Sequence, residues 1–238
     1  MRLNEKKSQP IRLSIIVPIH HEGSNLFDFL KQNEFHEADE IIIVDSSYSP
    51  ELEKFCNTFN KLTYSVANAA NRAIQMNQGA NLATCDGLLF LHADTHLPAG
   101  ACQAIKRTLQ NNHLCGCFKR HFTPNSPLLR VTSWLAYWRT KACFLAYGDQ
   151  SIFIQSQLFH QIGGYQPLLQ LEDLDLCIRA KKHTRPQTLN LPIQTSARRF
   201  SKACISRLLK DALMSCAFTL RLYSPRRFHA DAHEKPLQ

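Results

Sequence analysis

Acidic side chains at the ends of apolar runs are the residues of this 238-residue chain best placed to do chemistry. The run Leu88-Leu-Phe-Leu91 leads straight into His92-Ala-Asp94-Thr95. A carboxylate at such a strand end can hold a divalent cation against a diphosphate. Magnesium takes one or two protein carboxylates and completes its shell with phosphate and water oxygens, while an adjacent imidazole suits manganese better. Asp45 ends the run Ile41–Val44 and precedes Ser46 and Ser47, offering an acceptor for a base imino group or a ribose hydroxyl. Glu22 follows the first apolar run. Arg72, with Asn71 and Gln75, stands in the first turns of an Ala-rich helical segment, where backbone amides and a guanidinium make an anion site. Glu172-Asp173 opens a further helix, and a carboxylate there could take the proton from an attacking hydroxyl. Burial and a neighbouring carboxylate would raise its pKa toward that task.

Each of these residues also meets an ordinary structural need. Asp94 or Thr95 can cap the helix after Pro98, with His92 packed in the rim. Asp45 can close an Asx-turn, Glu22 can satisfy a helix dipole, and Arg72 can stand in solvent. Glu172 and Asp173 at the start of their helix, with Arg179, Lys181 and Lys182 at its end, complement the macrodipole without any function. Position in the fold has to decide between the two accounts.

The elements that position these residues can be read from periodicity. Leu13–Ile19, Glu40–Asp45 and Gly87–His92 are continuous apolar runs of the kind buried on both faces of a parallel sheet. Between them the pattern predicts a helix over 26–35 capped by Ser24 or Asn25, a helix over 51–60, a strand over 62–66 and a helix over 68–83. Strand and helix alternating at this spacing predict βαβ units and a mostly parallel, doubly wound sheet with helices on both faces. Ligands of open α/β sheets bind outside the strand C-termini, so Pro18 to Glu22, Asp45 to Ser47 and His92 to Thr95 should converge. Beyond Pro98 the pattern predicts a helix over 99–112 and a strand over 115–121. An amphipathic helix or loop follows over 128–142, then a strand over 148–154, a turn at Gly163-Gly-Tyr165 and a helix over 172–182. A last helix, 201–222, carries Lys202, Arg207, Lys210 and Arg221 around one apolar face.

Composition narrows the function classes. Hydrophobic residues at 44% and charged residues at 20% exclude a disordered or collagen-like chain. No apolar run approaches the ~20 residues of a membrane-spanning helix, and no apolar stretch follows the basic N-terminus, so a cytoplasmic protein is expected. The nine cysteines include no CxxC pair, which argues for reduced thiols rather than zinc. Of the 28 Lys+Arg and 19 Asp+Glu, 13 and 3 fall in residues 179–238, a net of +10 against −1 for the remainder. A nucleic-acid binder would spread that excess, so no nucleic acid is expected. The basic tail suits a lipid-linked acceptor and peripheral contact with the inner face of the membrane, or a solvated helix that caps the core.

Taken together, LSIIVPIHHEG, NRAIQMNQGA, LLFLHADTHLP, GDQSIFI, LEDLDL and SARRF resemble the family 2 glycosyltransferases of the GT-A fold. More narrowly they resemble the bacterial radical-SAM/selenodomain-associated subgroup. The resemblance implies a GT-A domain over 1–200 with a basic helical extension over 201–238. It implies an inverting, metal-dependent transferase that moves a sugar from a nucleotide-diphosphate donor to an unknown hydroxyl acceptor, with Mn2+ or Mg2+ as cofactor. Pro18, Glu22 and Asp45 would line the nucleotide pocket, and Arg72 would stabilise the leaving diphosphate. The metal motif maps onto His92-Ala-Asp94, leaving Asp94 as its only carboxylate. Glu172-Asp173 maps onto the acid pair, of which Glu172 would contact the nucleotide sugar and Asp173 would be the general base. Asp149 and Gln150 would contact sugar or acceptor.

The chain departs from the family pattern in three places. The second-strand turn, usually glycine-bearing, reads Asp45-Ser-Ser-Tyr48. Asn71 stands where a glycine is expected, and the usual Arg-Trp appears as Arg198-Arg199-Phe200. Two other classes compete: a sugar-phosphate nucleotidyltransferase, for which HHEGSN is a poor phosphate loop, and a non-catalytic module binding RNA or membrane through its tail.

Overall fold

The computed structural model describes residues 10–21, 29, 30, 33, 35–197 and 213–228. Most of the helix expected over 26–35, Glu22, the segment Arg198-Arg199-Phe200, and Lys202, Arg207 and Lys210 lie outside the described residues. Eight strands form one sheet: β1 (Leu13–Ile19), β2 (Glu40–Asp45), β3 (Leu62–Val66), β4 (Gly87–Phe90), β5 (Thr95–His96), β6 (Cys115–Thr123), β7 (Ile152–Gln155) and β8 (Gln187–Ser196). Their spatial order is β3-β2-β1-β4-β7-β6-β8-β5. The helices are α1 (Pro50–Cys56), α2 (Arg72–Leu82), α3 (Ala101–Gln110), α4 (Pro127–Cys143), α5 (Ser156–Gln161) and α6 (Glu172–Ala180).

The apolar runs become the parallel half of the sheet, β3-β2-β1-β4, as expected. Alternate residues of these strands face opposite layers. Leu13, Ile15, Val17 and Ile19 pack with Leu89 and Leu91 against α1 and α3. Ile16 packs with Leu88 and Phe90 against α2, α5 and α6. Helix α2 lies so close to β1 that a methyl group on Gly79 would overlap the Ile16 side chain. Strand β7 then enters antiparallel between β4 and β6, and β8 returns parallel to β6.

Several helix limits differ from the periodicity for local reasons. Helix α2 begins at Arg72 rather than near Asn68, because the extended Asn71 is its N-cap and its carboxamide oxygen accepts from Ile74 N at 3.1 Å. Helix α1 ends at Cys56, not residue 60. Segment 128–142 is helical rather than a loop, because Ser126 caps it and Pro127 supplies a preset first turn. Gly148–Gln150 is a 3-10 turn, and β7 starts only at Ile152. Among the described residues of the C-terminal segment, 213–219 are helical.

Candidate active site

Three polar turns follow the parallel strands, and the fold stitches the first two together. Asp45 is buried at the end of β2, where Oδ1 accepts from the amide and hydroxyl of Ser47 at 2.8 and 2.6 Å. Its Oδ2 accepts from the Tyr64 hydroxyl at 2.8 Å. The carboxylate thus closes the Asx-turn that was the structural alternative for it. His21 N donates to Ser47 Oγ at 2.9 Å, and His20 Nδ1 lies 2.9 Å from Ser46 Oγ. From below, the buried Gln75 amide donates to the carbonyls of Ile19 and Val44 at 2.7 and 2.9 Å, pinning the ends of β1 and β2 to α2. Pro18, in β1 opposite Val44, is half-buried at this edge.

The third turn connects this edge to the second half of the chain through Gly148. A methyl group added there would stand 2.9 Å from Asp173 Oδ2 and closer still to Nε2 of His92. The His92 ring and the Asp173 carboxylate therefore lie less than about 6 Å apart, although 81 positions separate them. Gly148 N also donates to Asp173 Oδ2 at 2.8 Å. Thr95 N bonds His92 O at 3.0 Å, a tight turn that keeps Asp94 at the same end of the sheet. The half-buried Asp94 carboxylate receives a long 3.3 Å contact from the Thr95 hydroxyl.

Asp173 stands in the first turn of α6 and is 5% exposed. Burial pushes its pKa up to about 7, the Glu172 carboxylate adds to the rise, and Arg72 and the Gly148 amide oppose it. Its Oδ1 is buried without a hydrogen-bond partner, as are Asp149 Oδ1, Ser151 Oγ and the Tyr165 hydroxyl. Unsatisfied buried polar atoms are uncommon in folded proteins and ask for an explanation. Here they lie on segments converging at Gly148 and α6. Non-glycine residues with positive φ stand next to this region at Ser151 (45°) and Leu171 (65°), and in the turns after β1 and β2 at His21 (52°) and Tyr48 (47°). Backbone strain of that kind collects at functional sites. Tyr48 takes the glycine-like conformation in the turn where the resembled family usually has glycine.

The remaining expected residues divide. Arg72, with its side chain 38% exposed, binds Glu172 Oε1 through Nε at 2.7 Å and through a terminal nitrogen at 2.5 Å. Helices α2 and α6 are thereby locked together across the crevice. Asn71 adds a bond from Nδ2 to the Leu168 carbonyl at 3.2 Å. Asp149 pairs with the buried Arg120 at 2.5 Å. Gln150 lies inside the fold. It is fully buried, its oxygen accepts from Arg139 and Thr140, and its nitrogen donates to the Phe118 carbonyl at 3.2 Å. Both ends of the amide bind α4 and β6 together, which leaves none for sugar or acceptor. Gly148 and Tyr165 were missed; the only sequence signal for Gly148 was a glycine ahead of an acid before a strand.

Among the described residues no group of three or more His, Cys, Asp or Glu side chains is placed to hold a metal ion. That donor set does not suit an all-protein cage. A hard cation that draws most of its oxygens from a diphosphate and water would need only one or two protein carboxylates. His92 turns Nε2 toward Gly148, on the same side as the Asp173 carboxylate.

A sheet of this order, with helices on both faces and acids at the parallel-strand C-termini, defines a GT-A glycosyltransferase fold. The family model "Glycosyl transferase family 2" matches residues 14–165, and the chain belongs to that family. The match ends before Glu172 and Asp173. Mannosyltransferase PcManGT from Pyrobaculum calidifontis, solved with GDP-Man and Mn2+, superposes with a TM-score of 0.69 at 14% identity, over 92% of this chain and 67% of that one. TarS 1-349 of S. aureus gives 0.61 at 16% identity, over 89% and 73%. Its complex with UDP-GlcNAc gives 0.56 at 17% identity, over 78% and 58%. No curated protein matches the chain by sequence.

Proposed function

We propose that the protein is an inverting transferase that moves a sugar from a nucleoside-diphosphate donor to a hydroxyl acceptor, with Asp173 as general base. One observation carries this reading: a buried carboxylate, poised near neutrality and with one oxygen unpaired, faces His92 across a glycine at the C-terminal end of the sheet. In the proposed step, the acceptor oxygen attacks the anomeric carbon while its proton passes to Asp173. The bond from that carbon to the diphosphate oxygen breaks on the opposite face, and the nucleoside diphosphate leaves with the electron pair. A pKa near working pH suits this task, because the base is then both available and strong.

The second-strand turn would receive the nucleoside. Asp45, bonded to Ser47 and Tyr64, would shape that turn, and Pro18 and Glu22 would line the nucleotide pocket. Arg72, oriented by Glu172, would face the diphosphate. Asp94 would hold Mn2+ or Mg2+, which when bound supplies charge stabilisation to the leaving diphosphate. Asp149, held by Arg120, borders the sugar or acceptor side. The relatives solved with GDP-Man and UDP-GlcNAc support the donor class, and the order of motifs supports the radical-SAM/selenodomain-associated subgroup. The basic tail favours a lipid-linked acceptor at the inner membrane face.

A thermal-shift panel of UDP-, GDP-, dTDP- and CDP-sugars with and without Mn2+ tests the proposal. We expect stabilisation by one donor class in the presence of the cation, and loss of the cation-dependent part in Asp94→Ala. Equal shifts for the variant and the parent protein would refute the metal assignment. No shift from any donor would refute the transferase reading.

A further inference from the structure

Helix α4 is apolar on both sides. Leu129, Ser133, Ala136 and Thr140 form its buried side, spaced three and four residues apart. On the opposite meridian stand Leu128, Val131, Trp134, Leu135 and Trp138, between 38% and 60% exposed. A helix that turns one side to water carries polar residues there, and an all-round apolar helix marks burial in another medium. The two indole rings meet edge to face, with centroids 6.4 Å apart. The helix holds three cations, Arg130, Arg139 and Lys141, and no carboxylate. Arg130 and Lys141 are exposed and flank the stripe on one side, and the Lys141 ammonium lies 5.4 Å from the Trp138 ring centroid.

We infer that this outer face of α4 docks on an anionic lipid bilayer. The helix would lie in the plane of the surface, with the indoles and leucines in the headgroup–acyl boundary and Arg130 and Lys141 among lipid phosphates. Tryptophan prefers that boundary, and an apolar stripe edged with Lys and Arg is the pattern of helices that lie on a membrane. Seventeen residues with three charges are too short and too polar to span it. Charge selects lipid over the other occupants. Residues 198–212 carry five Lys or Arg and one acid, so like charge opposes their covering α4, and a second copy would set cation against cation. The C-terminal segment meets the chain beside this helix: the Ser215 and Tyr147 hydroxyls bond, Arg139 stacks on Tyr147, and Leu213, Leu220 and Leu222 are exposed.

Trp134 and Trp138 are the chain's two tryptophans, so indole emission reports this face alone. The full chain is mixed with vesicles of phosphatidylglycerol and phosphatidylcholine, or of phosphatidylcholine alone. We expect a blue shift and quenching by brominated acyl chains with the anionic vesicles, and neither with the neutral ones at physiological salt. Val131→Glu/Leu135→Glu keeps both indoles and points away from the core. Each charge at an anionic surface changes partition about fivefold, so this variant should bind about 25-fold more weakly in co-sedimentation. Its thermal unfolding should match the parent protein. Three results would overturn the inference: no shift or quenching with anionic vesicles, unchanged binding by the folded variant, or indole emission already blue-shifted without lipid. A doubled mass by light scattering that the variant abolishes would replace lipid with a second copy. These readouts are independent of donor binding and turnover.

Discussion

Replacing Gly148 by alanine tests the site with a single methyl group. That methyl would stand 2.9 Å from Asp173 Oδ2 and nearer still to the His92 ring, short of the ~3.5 Å of ordinary contact. Relief requires the ring, the carboxylate or the 3-10 turn to move by about 1 Å. Overpacking of this kind costs about 1–3 kcal/mol, which a domain stable by about 5–15 kcal/mol survives. A base displaced by about 1 Å forfeits turnover by about 100-fold. Stability would be read from urea unfolding, donor binding from thermal shift, and turnover from release of nucleoside diphosphate. We expect a folded Gly148→Ala protein with near-native donor binding and turnover near one per cent. Adding His92→Ala should clear the space and return part of the lost stability, a coupling of about 0.5–3 kcal/mol in the double-mutant cycle. Parental turnover in Gly148→Ala, or strict additivity with His92→Ala, would refute the arrangement of Gly148, His92 and Asp173.

Two further substitutions separate positioning from chemistry. Glu172→Gln removes a carboxylate whose charge raises the Asp173 pKa, so the acidic limb of the rate profile should move below pH 7. A limb that stays in place would contradict the coupling of the pair. Gln75→Ala leaves the carbonyls of Ile19 and Val44 without their donor and should cost about 1–3 kcal/mol in urea unfolding. It should also weaken donor binding more than it slows turnover, because it loosens the nucleotide end of the sheet. Equal loss of both would argue against that division.

The parallel half of the sheet was legible because buried parallel strands are written as unbroken apolar runs, as in Ile41–Val44. Strand β8 was not. Its sequence Gln187-Thr-Leu-Asn-Leu-Pro-Ile-Gln-Thr-Ser196 mixes exposed polar residues with a proline. The structure accommodates that proline at a bulge, where the partner register jumps from Leu189 opposite Phe118 to Pro192 opposite Lys119. Two-residue β5 exists only as a pairing with β8 and has no periodicity of its own. In the site, a helix-initial acid pair and a strand-end acid could be read as chemistry from type and position. What no local pattern carries is the approach of His92 to Asp173 through Gly148, a tertiary contact that burial then turns into a raised pKa. Gln150 came from the resemblance alone, and only its surroundings reveal the internal tie that it makes between α4 and β6.

The central claim is that Asp173 takes the acceptor proton, and a pH profile of single-turnover rate with saturating donor tests it most directly. In the parent protein the rate should rise through a single limb near pH 7. In Asp173→Asn that limb should vanish and the rate fall by about 10²–10⁴, with donor binding retained. A limb that persists in Asp173→Asn, or a loss of only a few-fold, would contradict it.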